Sequence, residues 1–170
     1  MGNEILGDGK YLRLIRKDGW EFVQRKNLSG IVGIIAVTNE RKLILVEQYR
    51  PPVGKNVIEI PAGLAGDSPA SRNEDLALAA SRELEEETGY RAARMIELAT
   101  GTASAGLCDE VITLFRAEGL QKIHDGGGDA SESIQVHEIP LDQVENWLRE
   151  QTRNDKLVDL KVYSALHFAR

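Results

Sequence analysis

The stretch Glu74-Asp75-Leu76-Ala77-Leu78-Ala79-Ala80-Ser81-Arg82-Glu83-Leu84-Glu85-Glu86-Glu87-Thr88-Gly89-Tyr90 decides how this chain reads. It opens as an amphipathic helix and then crowds Glu83, Glu85, Glu86 and Glu87 together. Residues three and four apart on a helix share a face, so Glu83, Glu86 and Glu87 project together while Glu85 points away. Like charges at that spacing destabilise a helix by roughly a few tenths of a kcal/mol per pair. A hard divalent cation would remove that cost. Gly89 suits the left-handed position just past the helix end.

Upstream of this helix, residues 63–73 form a loop rich in Gly, Ser, Pro and Asp. Residues 56–60 read as a short strand closed by Pro61-Ala62-Gly63, and residues 31–38 and 42–47 as a buried hairpin turned at Asn39-Glu40-Arg41. Gln48-Tyr49-Arg50-Pro51-Pro52 is expected to end that hairpin, because proline cannot continue a central strand. Residues 11–17 and 20–25 flank Asp18-Gly19 and predict an N-terminal antiparallel hairpin. Trp20 and Phe22 share one strand face and Glu21 and Val23 the other. By periodicity alone, those aromatics read as core or interface packing.

Downstream, residues 91–99, 111–117 and 134–139 read as strands. Between the last two, residues 124–133 hold Gly126-Gly127-Gly128 flanked by Asp125, Asp129 and Glu132, which predicts a mobile loop. Residues 141–150 have helical spacing, with Pro140 at their start. A final helix is expected from about Asp159, with Leu160, Tyr163 and Leu166 inward. No internal repeat or linker divides the chain, so residues 1–170 read as a single domain of α/β (α+β) class with a mixed sheet.

A chain of 170 residues is long enough for a proper core. Its net charge of −6 argues against a general binder of phosphate backbones. A nucleotide substrate stays open, because a metal supplies positive charge locally. Cys108 is the sole cysteine, which excludes an intrachain disulfide or a cysteine zinc site and points to a reducing cytoplasm. Residues 1–10 hold no apolar run like a signal peptide, and no stretch approaches the roughly 20 apolar residues that span a bilayer. No membrane or nucleic-acid partner is expected. His124, His137 and His167 lie far apart and match no metal spacing.

Arg82-Glu83-Leu84-Glu85-Glu86-Glu87-Thr88-Gly89-Tyr90 resembles the distal half of the Nudix box, R-E-U-x-E-E-x-G-U with U apolar. Every specified position is filled, and Glu74 stands eight residues before Arg82, where the family has its earlier Glu. Fixed residues at set spacing over this length make the signature specific. Trp20-Glu21-Phe22-Val23, Glu47-Gln48-Tyr49-Arg50-Pro51-Pro52 and Glu59-Ile60-Pro61-Ala62-Gly63 are similar to the branch of ADP-ribose and nucleoside-diphosphate-sugar pyrophosphatases. So are Ser104-Ala105-Gly106-Leu107 and Glu132-Ser133-Ile134-Gln135-Val136, and together these cover residues 11–142. The chain departs from the pattern twice. Ten residues separate Gly63 from Glu74 where the family has five, an apparent insertion within residues 66–73 that a surface loop tolerates. Ala105 stands where the ADP-ribose branch commonly has Pro, which leaves broader nucleoside-diphosphate-sugar use open.

The resemblance implies an α/β/α sandwich with a mixed central sheet. It also implies a homodimer in which the N-terminal strands, residues 1–28, help build the partner's site. Trp20 would sandwich the base, reversing the packing reading; Glu21 would bind the base edge, Ala105 would line the substrate, and Arg50 would pair with a phosphate. Phe22 stays a packing residue. Gly63, Glu74, Arg82 and Gly89 would be structural positions of the box, with Arg82 tying loop to helix. Mg²⁺, with Mn²⁺ as a substitute, would be held by Glu83, Glu86, Glu87 and the backbone carbonyl of Ala62. Such an ion neutralises a phosphoanhydride and lowers the pKa of a water it binds. Glu86 is thus both ligand and catalytic residue, and Glu132 matches the branch's general base, with Asp129 as the alternative. The implied reaction splits ADP-ribose or another nucleoside diphosphate sugar into a nucleoside monophosphate and a sugar phosphate. The alternatives are another Nudix substrate (a dinucleoside polyphosphate, a dinucleotide cofactor or a damaged nucleotide) and a nucleotide-sensing module without turnover. The complete carboxylate set speaks against the last.

Overall fold

The structure is a computed structural model and describes residues 2–66, 74–128 and 133–169. Strands β1 (Glu4–Asp8), β2 (Leu12–Lys17) and β3 (Trp20–Arg25) form an antiparallel sheet. Asp18 and Gly19 both take positive φ, 51° and 84°, as a type I′ hairpin turn requires. The sequence predicted only the β2–β3 hairpin. The added strand, β1, places Ile5 opposite Ile15, and Ile15 lies opposite Phe22 in turn.

The apolar runs that follow become β4 (Gly30–Ala36) and β5 (Lys42–Arg50), which lie in two different sheets and do not pair as the expected hairpin. β5 carries on through Gln48, Tyr49 and Arg50 instead of ending at Glu47, because β6 (Lys55–Glu59) pairs with it as far as Arg50 opposite Lys55. The prolines form a short 3₁₀ turn, Pro51–Val53, between them. Pro61-Ala62-Gly63 does not close the region as expected but leads into β7 (Ala62–Ala65), which pairs with β4. Next come α1 (Leu76–Thr88), β8 (Tyr90–Arg91), β9 (Arg94–Thr102), β10 (Val111–Glu118) and β11 (Gln121–Lys122). β12 (Gln135–Pro140), α2 (Val144–Arg153), β13 (Leu157–Val158) and α3 (Leu160–Phe168) complete the order. The strand expected at residues 91–99 is thus β8 and β9, broken at Ala92 and Ala93.

One mixed sheet has the order β7-β4-β10-β9 and another β12-β5-β6-β13, with β4–β10 and β6–β13 parallel. A Val37–Leu43 bridge joins the end of β4 to the start of β5. Strand side chains alternate, and here both faces are covered, which is why the runs read as continuously apolar. Val32, Ile34 and Ala36 pack with Ala79, Ala80 and Leu84 of α1. Ile35, Leu43, Leu45 and Ile58 pack on the other side with Val144 and Leu148 of α2 and Val162 and Ala165 of α3. This is the expected α/β/α layering.

Two helix details differ from expectation. Pro140 is the last residue of β12, an edge strand that tolerates it, and α2 begins only at Val144. In α3, capped by Asp159, Val162 and Ala165 are buried and Leu166 packs against the same cluster as expected, while Leu160 and Tyr163 are 79% and 51% exposed. Among the described residues, no helix is long and apolar enough to cross a membrane.

Candidate active site

Asp75 caps α1 by accepting the amides of Ala77 and Leu78, and Gly89 ends it at φ 73°. The acidic turns of α1 then lie along β7. Glu87 Oε2 accepts the Ala62 amide at 3.1 Å, and Glu83 Oε1 accepts the Leu64 amide at 3.2 Å. The match is one of pitch: four helix residues rise about 6 Å, and two strand residues advance about 6.6 Å. Gly63, between the two amides, faces Glu83 so closely that a Cβ there would lie 1.9 Å from Glu83 Cδ. That approach, and not the backbone angles, is what favours glycine here, since a Cβ would displace the end of the Glu83 side chain.

Arg82 binds the assembly together. Its Nε and Nη2 donate to the carboxylate of Glu74 at 3.2 and 3.1 Å, and Nη2 also donates to the Leu64 carbonyl at 3.0 Å. Its Nη1 donates to Glu83 Oε1 at 2.9 Å and to Glu86 Oε2 at 3.0 Å. The hydrogen bond to Glu74 is the main reason its pKa is pushed upward. Burial pushes the Glu83 carboxyl up, and Arg82 and the Leu64 amide only partly oppose it. Glu87 is buried, Glu86 is half-exposed, and Glu85 points away into a bidentate pair with Arg91. Among the described residues, no three His, Cys, Asp or Glu side chains converge as a formed metal cluster. Here the cation bridging Glu83 and Glu86 is the Arg82 guanidinium. The Glu83, Glu86 and Glu87 carboxylates and the Ala62 carbonyl are all oxygen donors, a chemistry that would suit a hard divalent ion.

The substrate-side residues fall in two places. Arg50 forms a bidentate pair with Glu59 at 2.6 and 2.8 Å, and Glu59 is 5% exposed. Sequence reasoning gave Glu59 no role of its own; it lies opposite Val46 and not Arg50 in the sheet, so only the side-chain pair reveals its part. Trp20 is 67% exposed, and Glu21 pairs with Arg16 at 2.7 Å. The Val23 amide donates to the Leu107 carbonyl at 2.8 Å, drawing the turn that carries Ala105 onto the free edge of β3. Thus the segment at Leu107 and Cys108 lies beside β3, the strand that carries Trp20 and Glu21, although the two are far apart in sequence.

Glu132 and Asp129 lie outside the described residues, as does most of the inserted loop. The preceding segment, expected to be mobile, is tied down over residues 124–128. The amides of Gly127 and Gly128 donate to the carbonyls of Glu87 and Glu86 at 2.9 and 3.1 Å. Sequence reasoning also missed a buried polar cluster on the opposite sheet face. Glu47, 4% exposed, accepts from Asn56, from His137 and from Lys156, each within 2.9 Å. The Trp147 ring lies 4.9 Å from that of His137.

A NUDIX domain model matches residues 28–160, and the chain belongs to this family. Its sequence is 39% identical over 140 residues to the methanol dehydrogenase activator of Bacillus methanolicus, covering 82% of this chain and 71% of that protein. It is 37% identical over 114 residues to the ADP-ribose pyrophosphatase of Bacillus subtilis, covering 66% of this chain and only 59% of the relative's length. The crystal structure of an ADP compounds hydrolase matches with a TM-score of 0.68 at 19% identity, over 88% of this chain and 81% of the other, and shares the fold.

Proposed function

We propose that this protein is a divalent-metal-dependent pyrophosphohydrolase that splits ADP-ribose or a related nucleoside diphosphate sugar into a nucleoside monophosphate and a sugar phosphate. One observation carries the reading. In a NUDIX family chain, Glu83 and Glu87 are held against the Ala62–Leu64 strand while Arg82 gathers Glu74, Glu83 and Glu86 around itself. Glu83, Glu86, Glu87 and the Ala62 carbonyl would hold Mg²⁺, with Mn²⁺ as a substitute. When bound, the ion offsets phosphate charge and makes water more acidic.

The remaining chemistry belongs to the chain. Glu132 is proposed to take the proton from the attacking water, with Asp129 as the alternative. Arg50 orients a phosphate, with Glu59 fixing the plane of its guanidinium. Trp20 stacks on the base, Glu21 reads its edge, and Ala105 borders the sugar. We propose further that residues 1–170 act as one domain, in the cytoplasm, and as a homodimer. Exposed Leu12, Leu14 and Trp20 on the N-terminal sheet support the dimer, and light scattering during size exclusion tests it.

The decisive assay is a side-by-side kcat/KM panel of nucleoside diphosphate sugars with Mg²⁺ against an EDTA control. Hydrolysis of ADP-ribose or a neighbouring sugar nucleotide, abolished by EDTA and cut by orders of magnitude in Glu132→Gln, is the expected result. A second reading rests on the methanol dehydrogenase activator. At 39% identity that relative is named for activation and not for hydrolysis, so the substrate here would be a dinucleotide cofactor or the chain a nucleotide sensor. Turnover of a dinucleotide but of no sugar nucleotide, or acceleration of a dehydrogenase without turnover, would favour it.

A further inference from the structure

The last carbonyls of a helix have no partner within it. At the end of α1 those of Glu87 and Glu86 receive the amides of Gly127 and Gly128, while the Gly89 carbonyl receives the Ile123 amide at 2.7 Å. The segment turns back through Gly126, Gly127 and Gly128 at φ 74°, 116° and 82°, angles that L side chains rarely adopt. A Cβ on Gly126 would sit 2.5 Å from the Glu87 carbonyl oxygen, and one on Gly89 would sit 2.0 Å from the His124 carbonyl oxygen. The Gly126 amide donates to the imidazole Nδ1 of His124 at 3.0 Å, which fixes the entry to the turn. Two backbones therefore lie in direct contact, with no side chain between them.

We propose that residues 123–128 are a strap that positions the last turn of α1, making Gly126, Gly127 and Gly128 positioning residues for the divalent-metal site. This rests on the reading that Glu86 and Glu87 hold the ion. The carbonyls the strap grips belong to those same two residues. Glu87 is consequently held at both ends, its carbonyl by Gly127 and its carboxylate by the Ala62 amide. Displacing this turn by about half an ångström is enough to spoil a ligand constellation.

The test is Mn²⁺ binding followed by electron paramagnetic resonance on the wild type, Glu87→Gln, Gly126→Ala and Gly54→Ala. Gly54 has φ 64° with open space around its Cβ position, so it controls for backbone strain alone. Gly126→Ala is expected to weaken Mn²⁺ binding about tenfold, as loss of an outer-shell support does, and to lower kcat more than it raises KM. Gly54→Ala should bind as the wild type. Unchanged Mn²⁺ affinity in Gly126→Ala, with only a lower Tm, overturns the strap's role. If Gly126→Ala fails to fold, amide exchange at Gly127 and Gly128 in the wild type decides. Slowing by Mg²⁺ supports the coupling, by reciprocity, and no slowing overturns it. Absence of Mn²⁺ binding in the wild type, or full binding by Glu87→Gln, instead overturns the metal assignment beneath the proposal.

Discussion

Replacing Arg82 with methionine keeps most of the side-chain stem and removes the guanidinium that joins α1 to β7. Its donors reach Glu74, Glu83, Glu86 and the Leu64 carbonyl, all between 2.9 and 3.2 Å. The Glu74 and Glu83 side chains are 14% and 13% exposed, so the substitution strands their charges away from water. Glu86, at 49%, can turn into solvent and adds little. Removing one partner of a buried pair costs about 3–5 kcal/mol. Arg82 itself is 31% exposed, which brings the expected loss to about 2–4 kcal/mol. For a chain of this size, that lowers Tm by roughly 5–15 °C.

The loss should also depend on pH. Without Arg82, the Glu83 carboxyl, already raised by burial, rises further above its unfolded value of about 4.3. A raised carboxyl pKa means that the folded state binds more protons, so the deficit is full above the folded pKa and shrinks as pH falls toward the unfolded one. Thermal melts of both proteins between pH 7 and 4 measure it. A Tm within about 2 °C of wild type at pH 7 refutes the structural role, as does a deficit that stays constant with pH. Arg82→Lys should recover only part of the loss, since an ammonium cannot span the same fork of acceptors.

Gly63→Ala forces a Cβ onto Glu83 Cδ in a strand pinned to β4, and should cost about 1–3 kcal/mol by calorimetry. Unaltered unfolding and Mn²⁺ binding would show that the Glu83 carboxylate moves aside freely. At Glu47, burial raises the carboxyl pKa, but hydrogen bonds from Lys156, His137 and Asn56 win and hold it below the ordinary range. Its stabilisation is present above the unfolded pKa of about 4.3 and is lost as pH falls through the folded one. In Lys156→Met the folded pKa moves up toward the unfolded one, so the urea midpoint should be lower at neutral pH and fall less on acidification than in the wild type, and parallel pH curves would contradict this. Trp20→Ala removes a side chain that is 67% exposed, so Tm should hold while KM for the nucleotide rises about tenfold. An unchanged KM would remove Trp20 from the site.

The central strands were legible because a strand covered on both faces leaves a continuous apolar run, as residues 31–38 and 42–47 do. The acidic helix was legible because its carboxylate spacing is the helical repeat itself. β7 was not legible, since Pro61, Ala62 and Gly63 carry turn signals. What makes Ala62–Ala65 a strand is long-range: β4 pairs with it while Glu87 and Glu83 take the Ala62 and Leu64 amides. In α3, Leu160 and Tyr163 are larger than Val162 and Ala165, yet the smaller pair, with Leu166 beside it, is what faces the core. Glu47 read as a strand terminus because its partners His137 and Lys156 lie 90 and 109 residues away.

The same residues serve the fold and the proposed chemistry, and the geometry makes those duties compatible. Glu83 accepts both the Leu64 amide and the Arg82 guanidinium on Oε1, so anchoring strand and arginine engages one oxygen of a carboxylate that offers two. Glu86 is tied only to the most exposed side of the Arg82 network and can change partners at small cost, because an exposed ion pair contributes about 0–1 kcal/mol. Glu86 can therefore exchange Arg82 for another partner while Arg82 keeps its bonds to Glu74 and the Leu64 carbonyl. Arg82 balances the acidic charge before that exchange and continues to hold α1 against β7 after it. That is why Arg82→Met should damage stability first and metal affinity second, whereas Glu87→Gln should do the reverse.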